Sequence, residues 1–270
     1  MRSPQLIGRR SACFVFSRPG AVCVTLFAFL FLTALFFSAS YAEPDLKPTD
    51  IPKRLEARGK NLTALKAVMS VASSYDFGKS RQDVRGFFLY RRPTDFRFQG
   101  IGPGGNSLFE LVIKSNRFEM YVPADGKLIK GGKPCFYRKF PDVAELESLI
   151  PLALLQWKTA RVIDATSGNS KGTVVTLRFK RDLWKATLEG NKLLLKRLEK
   201  IVGKKVELTA DFGSFSDGKY GWLPKRFDVR CPSAGWRTVV TISKMEINPF
   251  LIEKNFKLDP TFSPKVEVCK

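Results

Sequence analysis

Between Gly86 and Pro123 apolar and polar residues alternate in successive short runs, and a period of two over such lengths points to extended backbone. The first run is Gly-Phe-Phe-Leu-Tyr-Arg-Arg-Pro-Thr-Asp-Phe-Arg-Phe. It gives Phe88, Tyr90, Arg92, Phe96 and Phe98 one parity, and so one face. Pro93 removes a ladder donor and interrupts this run in its middle. Phe109, Leu111 and Ile113 alternate in the next run, and Phe118, Met120 and Val122 in the one after. Lys114-Ser115-Asn116-Arg117 is the hairpin turn between them. The glycine-rich segment from Gly100 to Gly105 reads as a hairpin loop, because neither a following helix nor a Gly-Lys-Ser makes it a phosphate cradle. The stretch is therefore an antiparallel meander with a phenylalanine-rich face.

Such a face needs cover. Asp50 is placed to cap a helix over about 51–69, in which Ile51, Leu55, Leu62, Leu65 and Met69 fall at helical spacing and Gly59 weakens the centre. Asp142 and Glu145 have the spacing of a capping box. They predict a second helix over 142–155, with Val143, Leu146, Leu149 and Ile150 on its apolar face and Pro151 kinking or ending it. A first strand is expected over 71–77 and a short one over 128–130, with a loop opening at Gly131-Gly132 and running through Cys135. From Ala160 a second meander follows, with strands over 161–165, 173–179, 184–189, 193–201, 206–212, 223–231 and 236–247. Leu194, Leu198 and Ile201 also suit a helix, but Gly190-Asn191 and Gly203-Lys204 bracket that run as turns. One sheet with two helices has more apolar face than the helices cover, so the surplus either fills a core or lines a ligand cavity.

The N-terminus has the order of an export signal. Arg2, Arg9, Arg10 and Arg18 precede an apolar run from Ala21 to Phe37, and Ser40-Tyr41-Ala42 offers small residues before Glu43. We read 1–42 as a signal peptide and 43–270 as a single domain; the alternative is an uncleaved anchor. Of 46 Lys and Arg, four lie in 1–42; the remaining 42 stand against 25 Asp and Glu, a net charge of +17. This favours an anionic partner such as lipid head groups, or it is simply a solvated basic surface. Three cysteines follow the leader, Cys135, Cys231 and Cys269; export permits a disulfide, and spacing leaves all three pairings open. With no histidine in the chain, Ser-His-Asp and Cys-His catalysis and histidine-ligated metals are excluded. Carboxylate pairs such as Glu145/Glu147 and Asp76/Asp83 lack a convergent pattern and read as surface charge. Arg91, Arg92, Phe96, Arg97 and Phe98 interleave as single-stranded nucleic-acid platforms do, but export argues against that partner.

The Gly86–Phe98 segment, followed by Phe118-Glu119-Met120-Tyr121-Val122-Pro123, resembles the LolA/LolB-type lipoprotein carriers of the bacterial envelope. Gly221-Trp222-Leu223-Pro224 is similar to that family's entry into a late strand. Ile247-Asn248-Pro249 and Phe256-Lys257-Leu258-Asp259-Pro260 are similar to its C-terminal ending. The resemblance spans most of 50–268. It implies a mainly β (α+β) fold, a strongly curved antiparallel sheet forming an open half-barrel, with two helices over its concave face. It also implies a non-enzymatic periplasmic carrier without cofactor or metal, binding an acylated lipoprotein or lipid and contacting membrane or membrane-bound partners transiently, with no role for nucleic acid. On this reading Phe88, Tyr90, Phe96, Phe98, Phe109, Leu111, Ile113, Phe118, Met120, Leu146, Leu149 and Ile150 line the cavity, and Arg92 clasps the lid formed by the second helix. The competing reading is an envelope sensor with the same sheet that binds a protein partner. If the export reading is right, N-terminal sequencing of the protein recovered from the cell envelope begins at Glu43; full-length protein embedded in the inner membrane would instead establish the anchor.

Overall fold

The computed structural model describes residues 50–154, 160–168, 172–179, 181–190, 192–217, 222–260 and 263–269. The expected leader and its cleavage site lie outside the described residues. Helix α1, Ile51–Lys60, is the first element among the described residues and leads into two meanders. The first comprises β1 (Ala64–Tyr75), β2 (Ser80–Arg91), β3 (Asp95–Ile101), β4 (Ser107–Lys114), β5 (Arg117–Val122) and β6 (Lys127–Gly132). Two helices follow, α2 (Lys133–Lys139) and α3 (Pro141–Ala153). The second meander comprises β7 (Ala160–Gly168), β8 (Gly172–Phe179), β9 (Asp182–Glu189), β10 (Leu194–Val202), β11 (Lys205–Ser216), β12 (Leu223–Cys231) and β13 (Trp236–Ile247). A last strand, β14 (Lys265–Cys269), pairs in parallel with β6.

The fourteen strands of the described residues form one sheet in the order β14-β6-β5-β4-β3-β2-β1-β13-β12-β11-β10-β9-β8-β7. It is curved but not closed, with β14 and β7 as its edges. The two meanders join where β1 pairs with β13, Val71 opposite Val240 and Ala67 opposite Met245. The predicted parity holds across the first meander: Phe88 faces Phe98, Tyr90 faces Phe96, Phe98 faces Leu111, and Leu111 faces Met120. Pro93 falls in the turn between β2 and β3, where its missing N–H costs the ladder nothing.

Three expectations are corrected. The helix expected over 51–69 ends at Lys60, and the strand expected from Val71 begins at Ala64. Asn61 is the C-cap residue after Gly59, and from there Leu65, Ala67 and Met69 are buried while Lys66 and Ser70 are exposed, a strand alternation. Leu65 and Met69 match helical spacing only because positions four apart also share a strand face. The loop expected through Cys135 is α2, so the described residues hold three α-helices rather than two. The third helix starts at Pro141, with Phe140 rather than Asp142 as its N-cap residue; proline suits a first turn, whose amides have no helical partner.

Two apolar cores lie on the covered side of the sheet. One gathers Ile51 and Leu55 of α1 and Leu149, Leu152 and Ala153 of α3 onto β8–β12 around Trp184. The other gathers Leu62, Leu154 and Phe136 onto β1–β5. A disulfide joins Cys135 of α2 to Cys269 at the end of β14, and Cys231 is a buried free thiol. It closes a loop with a sequence separation of 134 residues, so its removal frees an unfolded chain considerably. The double substitution Cys135→Ser/Cys269→Ser is expected to lower stability by about 2–4 kcal/mol in urea unfolding; an unchanged midpoint would show that noncovalent contacts alone hold α2 and β14.

Candidate functional site

The first meander and β12–β13 form one wall of a cavity, and α2 and α3 form the other. Its volume is about 430 Å³, within the range of about 300–1,000 Å³ usual for small-molecule sites. Of the twelve side chains expected to line it, nine do: Phe88, Phe96, Phe98, Phe109, Leu111, Met120, Leu146, Leu149 and Ile150. Tyr90, Ile113 and Phe118 are not among the lining residues; they are buried in the adjoining core, where Phe118 packs on Phe136 at 4.7 Å between ring centroids. Sequence reasoning missed Leu65, Met69 and Val71 on β1, Phe136 on α2 and Phe140 between α2 and α3, and Phe227, Val229, Val240 and Ile242 on β12 and β13. Alternation along β1 carried a signal for the first group; only the pairing of β1 with β13 brings in the last.

The hollow has a sequence origin. Gly86 of β2 stands opposite Gly100 of β3, in the row that contains Phe109 and Met69. With no Cβ at either position, the ring of Phe98 folds over Gly86 and that of Phe109 over Gly100; a Cβ at either glycine would come within 2.6 Å of the ring above it. The two rings then meet edge to face at 5.6 Å, a favoured arrangement for aromatic quadrupoles. The glycines make room for these two rings, which line the cavity.

Polar groups hold the cover at its margins. Glu147 of α3 borders the cavity and accepts hydrogen bonds from Lys133 Nζ at 2.6 Å and from the Tyr137 hydroxyl, both on α2. Lys133 and Glu147 are only 11% and 10% exposed, so the pair is largely withdrawn from solvent screening. Burial, reinforced by the Glu147 carboxylate, pushes the Tyr137 phenol well above its ordinary value, so Tyr137 stays a donor. On the other side, Glu145 of α3 accepts from Lys200 of β10 at 2.8 Å. Burial alone would lower Lys200, but Glu145, with Asp182 and Glu207 nearby, raises it above its ordinary value.

Arg92 meets acceptors at a helix end, as its chemistry demands, but the helix is α1 and not the cover. Its guanidinium donates to the carbonyls of Gly59 and Lys60, its backbone N–H donates to Thr63 O at 2.9 Å, and its Nε is buried without a partner. Asn248 reaches the same loop: its side chain accepts from the amides of Thr63 and Ala64 and donates to Asn61 O at 2.6 Å. The Arg-Pro and Asn-Pro motifs, far apart in sequence, thus converge on the α1–β1 connection.

Solved structures resemble this architecture. A DUF1329 family protein from Desulfovibrio piger superposes with a TM-score of 0.58 at 11% identity, covering 78% of this chain and 98% of its own. An outer membrane lipoprotein-sorting protein domain from Vibrio parahaemolyticus gives 0.56 at 14% identity, over 78% and 96%. A LolA superfamily protein from Nitrosomonas europaea gives 0.53 at 10% identity, over 77% and 97%. The fold is LolA-like. No family model matches the sequence, and no curated protein does so significantly.

The glycine row is open to test. A Cβ at Gly86 would lie 2.3 Å from the Gln99 carbonyl oxygen as well as against Phe98, and backbone cannot step aside as a side chain can. Gly86→Ala is expected to cost about 1–3 kcal/mol in urea unfolding, against under about 0.5 kcal/mol for Gly104→Ala in the nearby open loop. Equal costs would mean that the glycine pair does not shape the cavity floor.

Proposed function

We propose that this protein is a periplasmic carrier that shelters the acyl chains of a lipoprotein or lipid in the cavity and moves them between envelope membranes. The observation that carries the reading is an apolar cavity of about 430 Å³ walled by phenylalanine and aliphatic side chains, with Ser73, Gln82 and Glu147 among its few polar wall residues. A chain of about ten buried methylenes gains about 8 kcal/mol before ordering costs, so such a wall retains acyl chains without covalent chemistry. Binding rather than catalysis is proposed. The LolA-like fold supports the reading, and so does the naming of the Vibrio parahaemolyticus domain for lipoprotein sorting. A basic chain, net +21 over its full length, suits work beside anionic head groups.

A solvatochromic fatty-acid probe is expected to bind the purified protein and to be displaced by an acylated peptide. Phe98→Glu places a carboxylate among the rings and is expected to weaken probe binding at least about tenfold, with the circular dichroism spectrum retained. Absence of probe binding to the wild type, together with a stoichiometric protein partner in native mass spectrometry of envelope extracts, would replace the carrier with the sensor.

A further inference from the structure

The cavity wall changes character along the strands. Toward the β2–β3 turn its sheet residues Leu65, Phe88 and Phe96 are buried. Toward the β1–β2 turn Val71, Ser73, Tyr75 and Val84 are half-buried and Gln82 is exposed. The cavity therefore opens at the end of the sheet where β1 turns into β2. Antiparallel order puts the β8–β9, β10–β11 and β12–β13 turns at that same end.

The side chains on this edge do not belong to an ordinary solvated rim. Phe77, at the β1–β2 turn, is 83% exposed. It is also held in place: its φ is 57°, its N–H donates to Gly235 O at 2.9 Å, and its ring lies so close to Gly235 that a Cβ there would meet it at 2.9 Å. A left-handed phenylalanine locked against the neighbouring turn and facing water is a conformation with no folding benefit of its own. The β10–β11 turn repeats the composition, with exposed Val202 and Val206 flanking Gly203, Lys204 and Lys205. Lys79, Lys204 and Lys205 are exposed and form no ion pair among the described residues. Of the acids nearby, Asp182 and Glu207 face Lys200 at 3.9 and 3.4 Å, which leaves Asp76 as the acid on the β1–β2 turn itself.

We propose that this edge docks the protein on a bilayer containing anionic lipid, with the cavity mouth turned to the membrane. Exposed apolar side chains set beside unpaired lysines match the interface of such a bilayer: the ring and valines would enter the head-group boundary while the ammonium groups meet phosphates. Three apolar residues spread over two separate turns give no continuous patch for a protein partner. The inference rests on the carrier reading and deepens it, since an acyl chain would then pass between bilayer and cavity without crossing water.

Vesicle flotation of protein recovered from the envelope of expressing cells tests it. Partitioning onto phosphatidylglycerol/phosphatidylcholine vesicles is expected to exceed that onto phosphatidylcholine alone at least about fivefold at low salt. Phe77→Ser should weaken it about fivefold and Lys204→Gln/Lys205→Gln about twentyfold. Phe250→Ser should leave it unchanged; Phe250 is 92% exposed but follows β13 at the opposite end of the sheet. No preference for the anionic vesicles, or equal losses for Phe77→Ser and Phe250→Ser, would overturn the docking edge. The fatty-acid probe separates the two readings. Probe binding without vesicle binding removes the edge and keeps the carrier; vesicle binding lost in Phe77→Ser, without probe binding by the wild type, keeps the edge and removes the carrier.

Discussion

The connection from β6 to β7 is the constraint on which the site depends. Strand β6 sits next to one edge of the sheet and β7 forms the other, with twelve steps between them in the strand order. At about 4.8 Å per step a flat sheet would set them about 58 Å apart. The chain has residues 133–159 with which to cross. Helices α2 and α3 rise about 10 and 20 Å, and the other seven residues add at most about 25 Å even when fully extended and collinear. A flat sheet would leave the linking residues drawn out almost straight, with nothing to spare for packing; curvature brings the edges nearer, and α2 and α3 lie over the concave side. The same crossing that closes the topology makes the cover. It is secured by the Cys135–Cys269 bond, by the Lys133–Glu147–Tyr137 cluster and by Glu145 on Lys200.

Support at its margins allows the middle to remain hollow. Glycines at 86 and 100 let the rings of Phe98 and Phe109 fold sideways over them and form part of its wall. If the space were a sealed apolar void, cavity energetics of about 24 cal/mol per Å³ would set a cost near 10 kcal/mol, as large as the whole stability of a typical domain. The hollow is tolerable because it opens past Gln82, and an apolar guest gains what the wall otherwise forfeits.

Most of the sheet was legible in the sequence because each strand is half-buried and reports its face through alternation. Phe88 to Phe98, Phe109 to Ile113 and Phe118 to Val122 all landed in the expected register, and Trp236–Ile247 matched at both ends. Errors arose where period four and period two coincide: Leu65 and Met69 satisfied both, and Asn61 after Gly59 was the signal that should have ended the helix. Helix α2 was hidden by Gly131, Gly132 and Pro134, which read as a loop although proline is at home in a first helical turn. Strand β14 is five residues long, mostly exposed, and defined by β6 and the disulfide rather than by a pattern of its own. In the cavity, residues on one meander could be grouped by parity. Those from β12 and β13 could not, since pairing between strands about 170 residues apart leaves no local trace.

Arg92 shows what a short motif encodes. Its parity placed it facing the apolar side, and an arginine there must find oxygen acceptors, since an unpaired buried guanidinium is costly. The acceptors are the last carbonyls of α1, which lack helical partners and carry the negative end of the helix dipole, so cation and helix end satisfy one another. Asn248 fastens the other side of the same loop, in a left-handed conformation with φ of 54° that asparagine tolerates better than most residues. Beyond this anchorage α1 reaches across to the core around Trp184 on the second meander through Ile51 and Leu55, while Leu62 just past it enters the core on the first meander. The two motifs therefore fix a strut between the two cores, and the cover helix α3, which contributes Leu152 to one core and is followed by Leu154 in the other, lies across the same division. A clasp on α1 resists separation of the two meanders. The α2–α3 segment is tied separately, by its apolar packing on both cores, one disulfide and a few charged pairs.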